Sequence, residues 1–263
     1  MKSEDLQRVF AEAGVLEGNC PDDFTISSLA GYTNENYRLF NGQQDWVIRI
    51  PRAETDRFLD RSAEAHNQEL AYRLEIAPRV AWRDNRGTTL TPTITGCRAL
   101  CAADFNNAIK LKKILKPVQR LHRSGNLFHG RVNLPELLSD HFALLSRADQ
   151  QRLAPRLRQA KRELKQLESG ATETVPSHND LVLDNLLFDD SRVWLIDWEY
   201  SAMASPYWDL ATLCNSANLD QRQSQRLLQI YSSGSLPMDE TILSRYRDLL
   251  QLLTDCWMAI HVE

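Results

Sequence analysis

What this sequence lacks narrows its class early. Its 263 residues contain no cluster of Lys and Arg that would give an electrostatic footprint for nucleic acid, and the formal net charge is −4. No apolar run reaches the roughly 20 residues that a membrane-spanning helix needs. The first residues, Met1-Lys2-Ser3-Glu4-Asp5, have neither the basic nor the apolar region of a secretory signal. Cysteines number five, at positions 20, 97, 101, 214 and 256, an odd count with no C-x-x-C pair. That pattern argues against a disulfide framework and against zinc, and for reduced thiols in a cytoplasmic protein. Internal repeats and low-complexity segments are absent too. What remains is a chain 43% hydrophobic, enough to bury one large core or two lobes.

The richest stretch is His178-Asn179-Asp180-Leu181-Val182-Leu183-Asp184-Asn185, followed by Leu195-Ile196-Asp197-Trp198-Glu199. Leu186-Leu187-Phe188 and Val193-Trp194-Leu195-Ile196 read as two short apolar strands. Asp189-Asp190-Ser191 between them is a turn signal, so the pair reads as a β-hairpin. Folded about Asp190, the hairpin sets Asn185 opposite Leu195, with Asp197 just beyond at the same open end. Asp180 lies in the loop leading into that end. Oxygen-bearing side chains therefore converge from a loop and two strand ends. Mg²⁺ takes hard oxygen ligands and is usually held by one or two carboxylates plus substrate phosphates. Asn185 and Asp197 suit that role, leaving Asp180 as the base that accepts or orients the proton of an attacking hydroxyl.

H-x-D-x-x-x-x-N followed by I-D-W-E resembles the aminoglycoside phosphotransferase and choline kinase superfamily of small-molecule kinases. It looks in particular like bacterial choline/ethanolamine and thiamine kinases, where I-D-W-E-Y is common. Further segments match in family order from about residue 30 to about residue 211. They are Gly31-Tyr32-Thr33-Asn34-Glu35-Asn36-Tyr37, Trp46-Val47-Ile48-Arg49-Ile50-Pro51, Asp60-Arg61 with Glu64 and Asn67, Leu121-His122, and Pro206-Tyr207-Trp208-Asp209-Leu210-Ala211. The chain departs from the pattern in lacking G-x-G-x-x-G, and Thr95 replaces a common Glu. D-F-G and A-P-E are also missing, which argues against an activation-loop-regulated protein kinase.

The resemblance implies an α+β, bilobal, protein kinase-like fold. Residues 1–95 would form a nucleotide-binding lobe, a small antiparallel sheet with one main helix. Residues 96–263 would form a mostly helical catalytic and substrate-binding lobe. It also implies ATP and Mg²⁺ as cofactors and a small hydroxylated molecule as acceptor, with no nucleic-acid partner and a monomeric or homodimeric protein. Arg49 would contact the nucleotide phosphates, paired with Glu64 or its rival Glu69, and Gly31, Thr33 and Asn34 would cover them with backbone amides. His178 and Asp209 read as structural supports of the catalytic loop, Asp209 through backbone amides or as a helix cap. Trp198, Tyr200, Tyr207, Trp208 and Trp257 could offer ring faces to a cation, with Glu199 adding a carboxylate. Choline or ethanolamine is the favoured acceptor. Thiamine, an aminoglycoside, and a nucleotide-binding pseudokinase are the other readings.

Periodicity predicts a helix over 5–19 carrying Leu6, Val9, Phe10 and Val15, strands near 24–40 and 45–51 joined by Asn41-Gly42, and a helix over about 56–74. Strands at Arg79–Trp82 and Thr88–Ile94 follow. Helices are expected over about 102–123, 135–143, 147–168, 207–216, 221–232 and 239–261.

Overall fold

The first helix, α1 (Ser3–Glu12), ends earlier than its apolar stripe suggests. Gly14 is a poor interior residue for a helix. At Ala13 the backbone becomes extended, and Gly14–Leu16 form a single 3₁₀ turn. That turn rotates Val15 out to solvent and Leu16 into the core. The coordinates are those of a computed structural model, which describes residues 3–29, 31, 34–52, 59–168, 173–233 and 238–261. The chain divides into two compact units, Met1–Cys97 and Arg98–Glu263.

In the first unit the segment expected as one strand over 24–40 is two, β1 (Thr25–Leu29) and β2 (Asn34–Phe40), paired antiparallel from Thr25↔Phe40 to Leu29↔Asn36. The small and polar residues Ser27, Ser28, Gly31 and Asn34 flank this reversal, where a chain turns easily. β3 (Asp45–Pro51) pairs with β2 from Phe40↔Asp45. Asn41-Gly42 does reverse the chain there, but within the longer loop 41–44. The Oδ1 of Asn41 accepts from the Gln43 and Gln44 amides at 3.0 and 2.7 Å, and Gly42 takes φ +87°.

α2 (Arg61–Arg73) starts behind Asp60, whose Oδ1 accepts from the amides of Ser62 and Ala63 at 2.9 and 3.0 Å. That cap places the helix start later than expected, and residues 53–58 lie outside the described ones. β4 (Trp82–Arg83) and β5 (Thr89–Pro92), both shorter than expected, complete an antiparallel sheet in the order β1-β2-β3-β5-β4. Leu39, Ile48 and Leu90 from the sheet are fully buried with Val9 and Leu16, so α1 and its turn close one core on the sheet.

The second unit begins with β6 (Arg98–Ala99) and a 3₁₀ turn over Ala102–Asn106. α3 (Ala108–His122) follows, so the expected helix over 102–123 breaks at Asn107. Asn107 caps α3, its Oδ1 accepting from the Ile109 and Lys110 amides at 2.8 and 3.1 Å. α4 (Leu134–Leu144) and α5 (Arg147–Glu168) fall where the periodicity places them. Next come β7 (Val175–Ser177), β8 (Leu186–Phe188), β9 (Val193–Leu195) and β10 (Ala202–Ala204). These strands form two small sheets, β6-β8-β9 and β10-β7. α6 (Pro206–Ser216), α7 (Gln221–Tyr231) and α8 (Glu240–His261) finish the unit, with α8 packed on α6.

The α3 cap gives a direct test of this layout. Asn107→Ala should lower the unfolding free energy by about 1 kcal/mol, as loss of a capping oxygen usually does, measured by urea denaturation. An unchanged midpoint would mean that the cap contributes nothing.

Candidate active site

β7 ends at Ser177, and the loop His178–Val182 carries the chain into a 3₁₀ turn, Leu183–Asn185, that opens directly into β8. The amide of Leu183 donates to the Oγ of Ser216 at 2.9 Å, which ties this turn to the end of α6. β8 and β9 pair from Leu186↔Leu195 to Phe188↔Val193. Asn185 therefore lies opposite Ile196, whose amide donates to its carbonyl at 3.0 Å, and not opposite Leu195 as expected. The hairpin centre falls between Asp190 and Ser191 because Asp189 builds the turn. Its Oδ1 accepts from the Ser191 and Arg192 amides at 3.0 and 2.9 Å, with Asp190 at φ +63°. Asp197 still follows directly at the open end, itself at φ +63°, a region few residues other than glycine adopt.

Asp180 and Asn185 are in contact. The Nδ2 of Asn185 donates to the Oδ2 of Asp180 at 2.8 Å and to its carbonyl at 3.0 Å. With its nitrogen so engaged, Asn185 keeps Oδ1 as the atom that can hold a cation. Burial, then repulsion from the carboxylates of Asp197 and Glu199, pushes the Asp180 carboxyl up to about 8 against the Asn185 hydrogen bond. Such a set of hard oxygen donors fits Mg²⁺, which is held by few protein ligands plus phosphates. Among the described residues no three His, Cys, Asp or Glu side chains group as a self-sufficient metal site. A cation here would complete its shell from substrate and water.

The support beneath this loop is Asp209, fully buried in the first turn of α6. Its Oδ1 accepts from the amide of Asn179 at 2.7 Å, and its Oδ2 from the amide of His178 and the Nε2 of His122, both at 2.9 Å. Burial opposes the charge on Asp209, but the hydrogen bond and charge of His122 and the groups of His178 hold its carboxyl below the usual carboxylate range. Ser205, not Asp209, caps α6. The Nδ1 of His122 meets the hydroxyl of Tyr231 at 2.7 Å, which the sequence did not signal beyond its Leu121-His122 pair. His178 is buried and held below its ordinary pKa by that burial. Its Nε2 donates to the carbonyl of Ile196 at 2.9 Å, an architectural task.

Two aromatic expectations are overturned. Trp198 is 0% exposed, its N–H donated to the Leu195 carbonyl at 3.1 Å and its ring set against His178 and Phe128. No face remains for a cation. Trp208 is also buried and donates its N–H to the carbonyl of Asn179 at 2.9 Å, so it braces the loop. Tyr207 stacks on Tyr246 and accepts from the Asp239 amide at 2.7 Å. Rings that follow the Asp197 motif so closely in sequence are the ones needed to fill the core beneath it. Tyr200 and Trp257 remain half-buried, and Glu199 is a buried carboxylate.

In the first unit, Arg49 on β3 pairs with Glu64 on α2. The rival Glu69 is exposed and engaged by Arg73 at 2.9 Å. Two further guanidiniums share Glu64: Arg61 on its Oε2 at 2.8 Å, and Arg83 near its Oε1 at 3.4 Å. Burial works to raise the Glu64 carboxyl, but Arg49, Arg83 and Arg61 together hold it below its ordinary value. The role of Arg61 was open to sequence reasoning, three residues before Glu64 on one helix face. That of Arg83 was not, since it depends on the pairing of β4 with β5. Gly31 has no room for a Cβ, which would lie 2.5 Å from the Nδ2 of Asn36 and 2.6 Å from the carbonyl of Asn34. Asn34 opens β2 and is buried, while Thr33 lies outside the described residues.

The raised carboxyl of Asp180 has a measurable cost. Between about pH 4 and pH 8 the folded protein holds a proton there that the unfolded chain has released. Stability therefore falls as pH rises through that window. Without divalent cation, Asp180→Asn should raise the melting temperature at pH 8.5 by about 2 °C or more, and the gain should vanish towards pH 4. Thermal scans at both pH values check this, and a gain that does not depend on pH would contradict it.

Comparison with known proteins adds to this geometry. Residues 25–247 match the model of the phosphotransferase enzyme family. Protein LicA of Haemophilus influenzae is 30% identical over 210 residues, spanning 78% of this chain and 62% of that protein, less than two thirds of its length. A choline/ethanolamine kinase family protein from Mesorhizobium loti superposes with a TM-score of 0.77 at 25% identity, covering 98% of this chain and 85% of that one. Choline kinase LicA from Streptococcus pneumoniae superposes at 0.84 with 22% identity, covering 98% and 91%. The α+β, kinase-like fold expected from the sequence is therefore the fold observed. With a match running through most of its length, the chain belongs to the phosphotransferase enzyme family.

Proposed function

We propose that this protein is an ATP- and Mg²⁺-dependent kinase of a small cationic alcohol, with choline as first candidate and ethanolamine as second. The observation that carries the reading is the contact of Asp180 with Asn185 at the strand end that leads to Asp197, in a chain similar to LicA proteins. Mg²⁺, when bound, neutralises charge on the phosphates. The Oδ1 of Asn185 and the carboxylate of Asp197 would hold it. In the first unit, the Arg49 guanidinium, aligned by Glu64, suits phosphate oxygens of the nucleotide, beside the backbone of Gly31 and Asn34.

Asp180 would receive the proton of the acceptor hydroxyl as its oxygen bonds to the γ-phosphorus. The β–γ bridging oxygen then leaves with ADP, and the proton passes on to solvent. With Trp198 and Trp208 committed to the core, attraction for a cationic acceptor rests on the carboxylates of Glu199 and Asp197, and on the half-buried Tyr200 and Trp257. A cytoplasmic location is part of this proposal. No helix among the described residues is long and apolar enough to cross a membrane.

A coupled ADP-release assay with Mg²⁺–ATP, offering choline, ethanolamine, thiamine and an aminoglycoside separately, should show turnover with choline. Asp180→Ala should lower kcat by about 10²- to 10⁴-fold, the usual worth of such a base. Full activity in that variant would remove Asp180 from its role. Calorimetry should find Mg²⁺–ATP binding weakened in Asp197→Ala while free choline binds as before. Equal losses for both ligands would point to damage to the fold instead.

A further inference from the structure

We infer that Asn179 is a positioning residue that holds the Asp197–Tyr200 segment at its working distance from Asp180, and so sets how a cationic acceptor is held. The inference rests on the kinase reading above. Asn179 immediately precedes Asp180 and makes three directed contacts. Its amide donates to the Oδ1 of Asp209 at 2.7 Å, and its carbonyl accepts from the indole of Trp208 at 2.9 Å. Those two anchor its backbone to α6. Its side chain reaches the other way, the Nδ2 donating to the carbonyl of Tyr200 at 3.0 Å.

Tyr200 sits in a tight turn. The amide of Ser201 donates to the carbonyl of Trp198 at 3.0 Å, and its hydroxyl to the same oxygen at 2.6 Å. That turn carries Glu199 and directly follows Asp197. The neighbouring His178 holds the carbonyl of Ile196, on the other side of Asp197. Two consecutive loop residues therefore grip the chain before and after Asp197. The tie spans from the residue before Asp180 to the turn that carries Glu199, so without it that turn is held to the loop on one side of Asp197 only. The donor is an uncharged amide, which makes this bond without placing a further charge beside the carboxylates.

Asparagine meets both demands at this position. The backbone stands at φ +65°, which Asn, Asp and Gly tolerate better than other residues. Glycine has no side chain to donate, and an ionised aspartate would set an acceptor against the Tyr200 carbonyl. The Oδ1 of Asn179 is buried without a partner, a cost that a site accepts when the other end of the amide has a task. The carbonyl of Tyr200 fixes the amide orientation, since the flipped form would face oxygen with oxygen.

Asn179→Gly keeps the backbone conformation and removes the tie. Asn179→Asp keeps both shape and backbone but replaces the donor. Steady-state kinetics with choline and ATP, corrected for folded protein, should show kcat/KM for choline down at least tenfold in both variants. KM for ATP should stay within about threefold of wild type. Hydrogen exchange should show faster deuterium uptake across 198–203 and unchanged uptake across the hairpin 186–195. A purely structural role would lower the melting temperature but leave kcat/KM per folded molecule at the wild-type value, and that result overturns the inference. So does wild-type uptake across 198–203 in both variants. If the wild-type protein turns over no acceptor, the kinase reading fails, while the exchange data still decide whether the tie exists. Should Asn179→Gly not fold, Asn179→Asp carries both readouts alone.

Discussion

One buried carboxylate organises the second unit. Asp209 gives each of its oxygens to the backbone of the loop His178–Val182, one to the amide of His178 and one to that of Asn179. Consecutive amides aimed at one carboxylate force the chain into a sharp bend, and Asn179 takes a left-handed backbone to make it. An ionised group this deep would be costly alone. Here it has two amide donors and the Nε2–H of His122, and hydrogen bonds to a charged acceptor are about twice as strong as neutral ones. His122 is in turn oriented by the Tyr231 hydroxyl, so α3, α6 and α7 all bear on the loop that presents Asp180. The residues proposed for chemistry thus sit at the edge of a network made by residues that do none.

The first unit solves a similar problem with the opposite balance of charge. Glu64 is buried under three guanidiniums, from β3, α2 and β4. A buried ion pair yields little net stability, because desolvation offsets attraction. Its use here is geometric. With Arg61 and Arg83 also bearing on the carboxylate, Glu64 has little freedom to turn, and Arg49 inherits that fixed direction. Burial itself pulls Arg83 below its ordinary pKa, with Glu64 opposing that and Arg49 adding to it. The cluster therefore balances two kinds of cost around a single carboxylate.

How much of this could be read from the residues depended on distance along the chain. The hairpin that brings Asn185 and Asp197 together is local, two apolar strands around an Asp-rich turn, and its pattern was plain. Its register was misplaced by one residue because the strand pattern does not reveal that Asp189 builds the turn. For Arg49 the helix pattern left Glu64 and Glu69 both open as partners, and only the structure, with Glu69 engaged by Arg73, decides for Glu64. The contribution of Arg83 depends on a strand pairing that no local pattern announces. Aromatic residues misled for a related reason. Trp198 and Trp208 look the same in sequence whether they line a site or support it, and only packing distinguishes the two. The break at Ala13 and the division of residues 24–40 into two strands had local signals, Gly14 and the small residues around Gly31, which the apolar pattern on either side obscured. Burial of Leu16 and Leu39 in one core reinforces both.

The turn between β8 and β9 acts as a ruler. Asp189–Arg192 separate Phe188 from Val193, and every pair down to Leu186↔Leu195 is counted from there. Side chains on a strand alternate faces, so a shift of one residue turns each of them to the opposite side. One inserted or deleted residue in this surface turn would move Asp197 out of step with Asn185, far from either and without touching them. Exposed turns usually tolerate changes of length well. Here Asp189, which builds the turn, and the turn's length stay locked, a constraint of parity imposed on the surface by the site proposed at the far end of the hairpin.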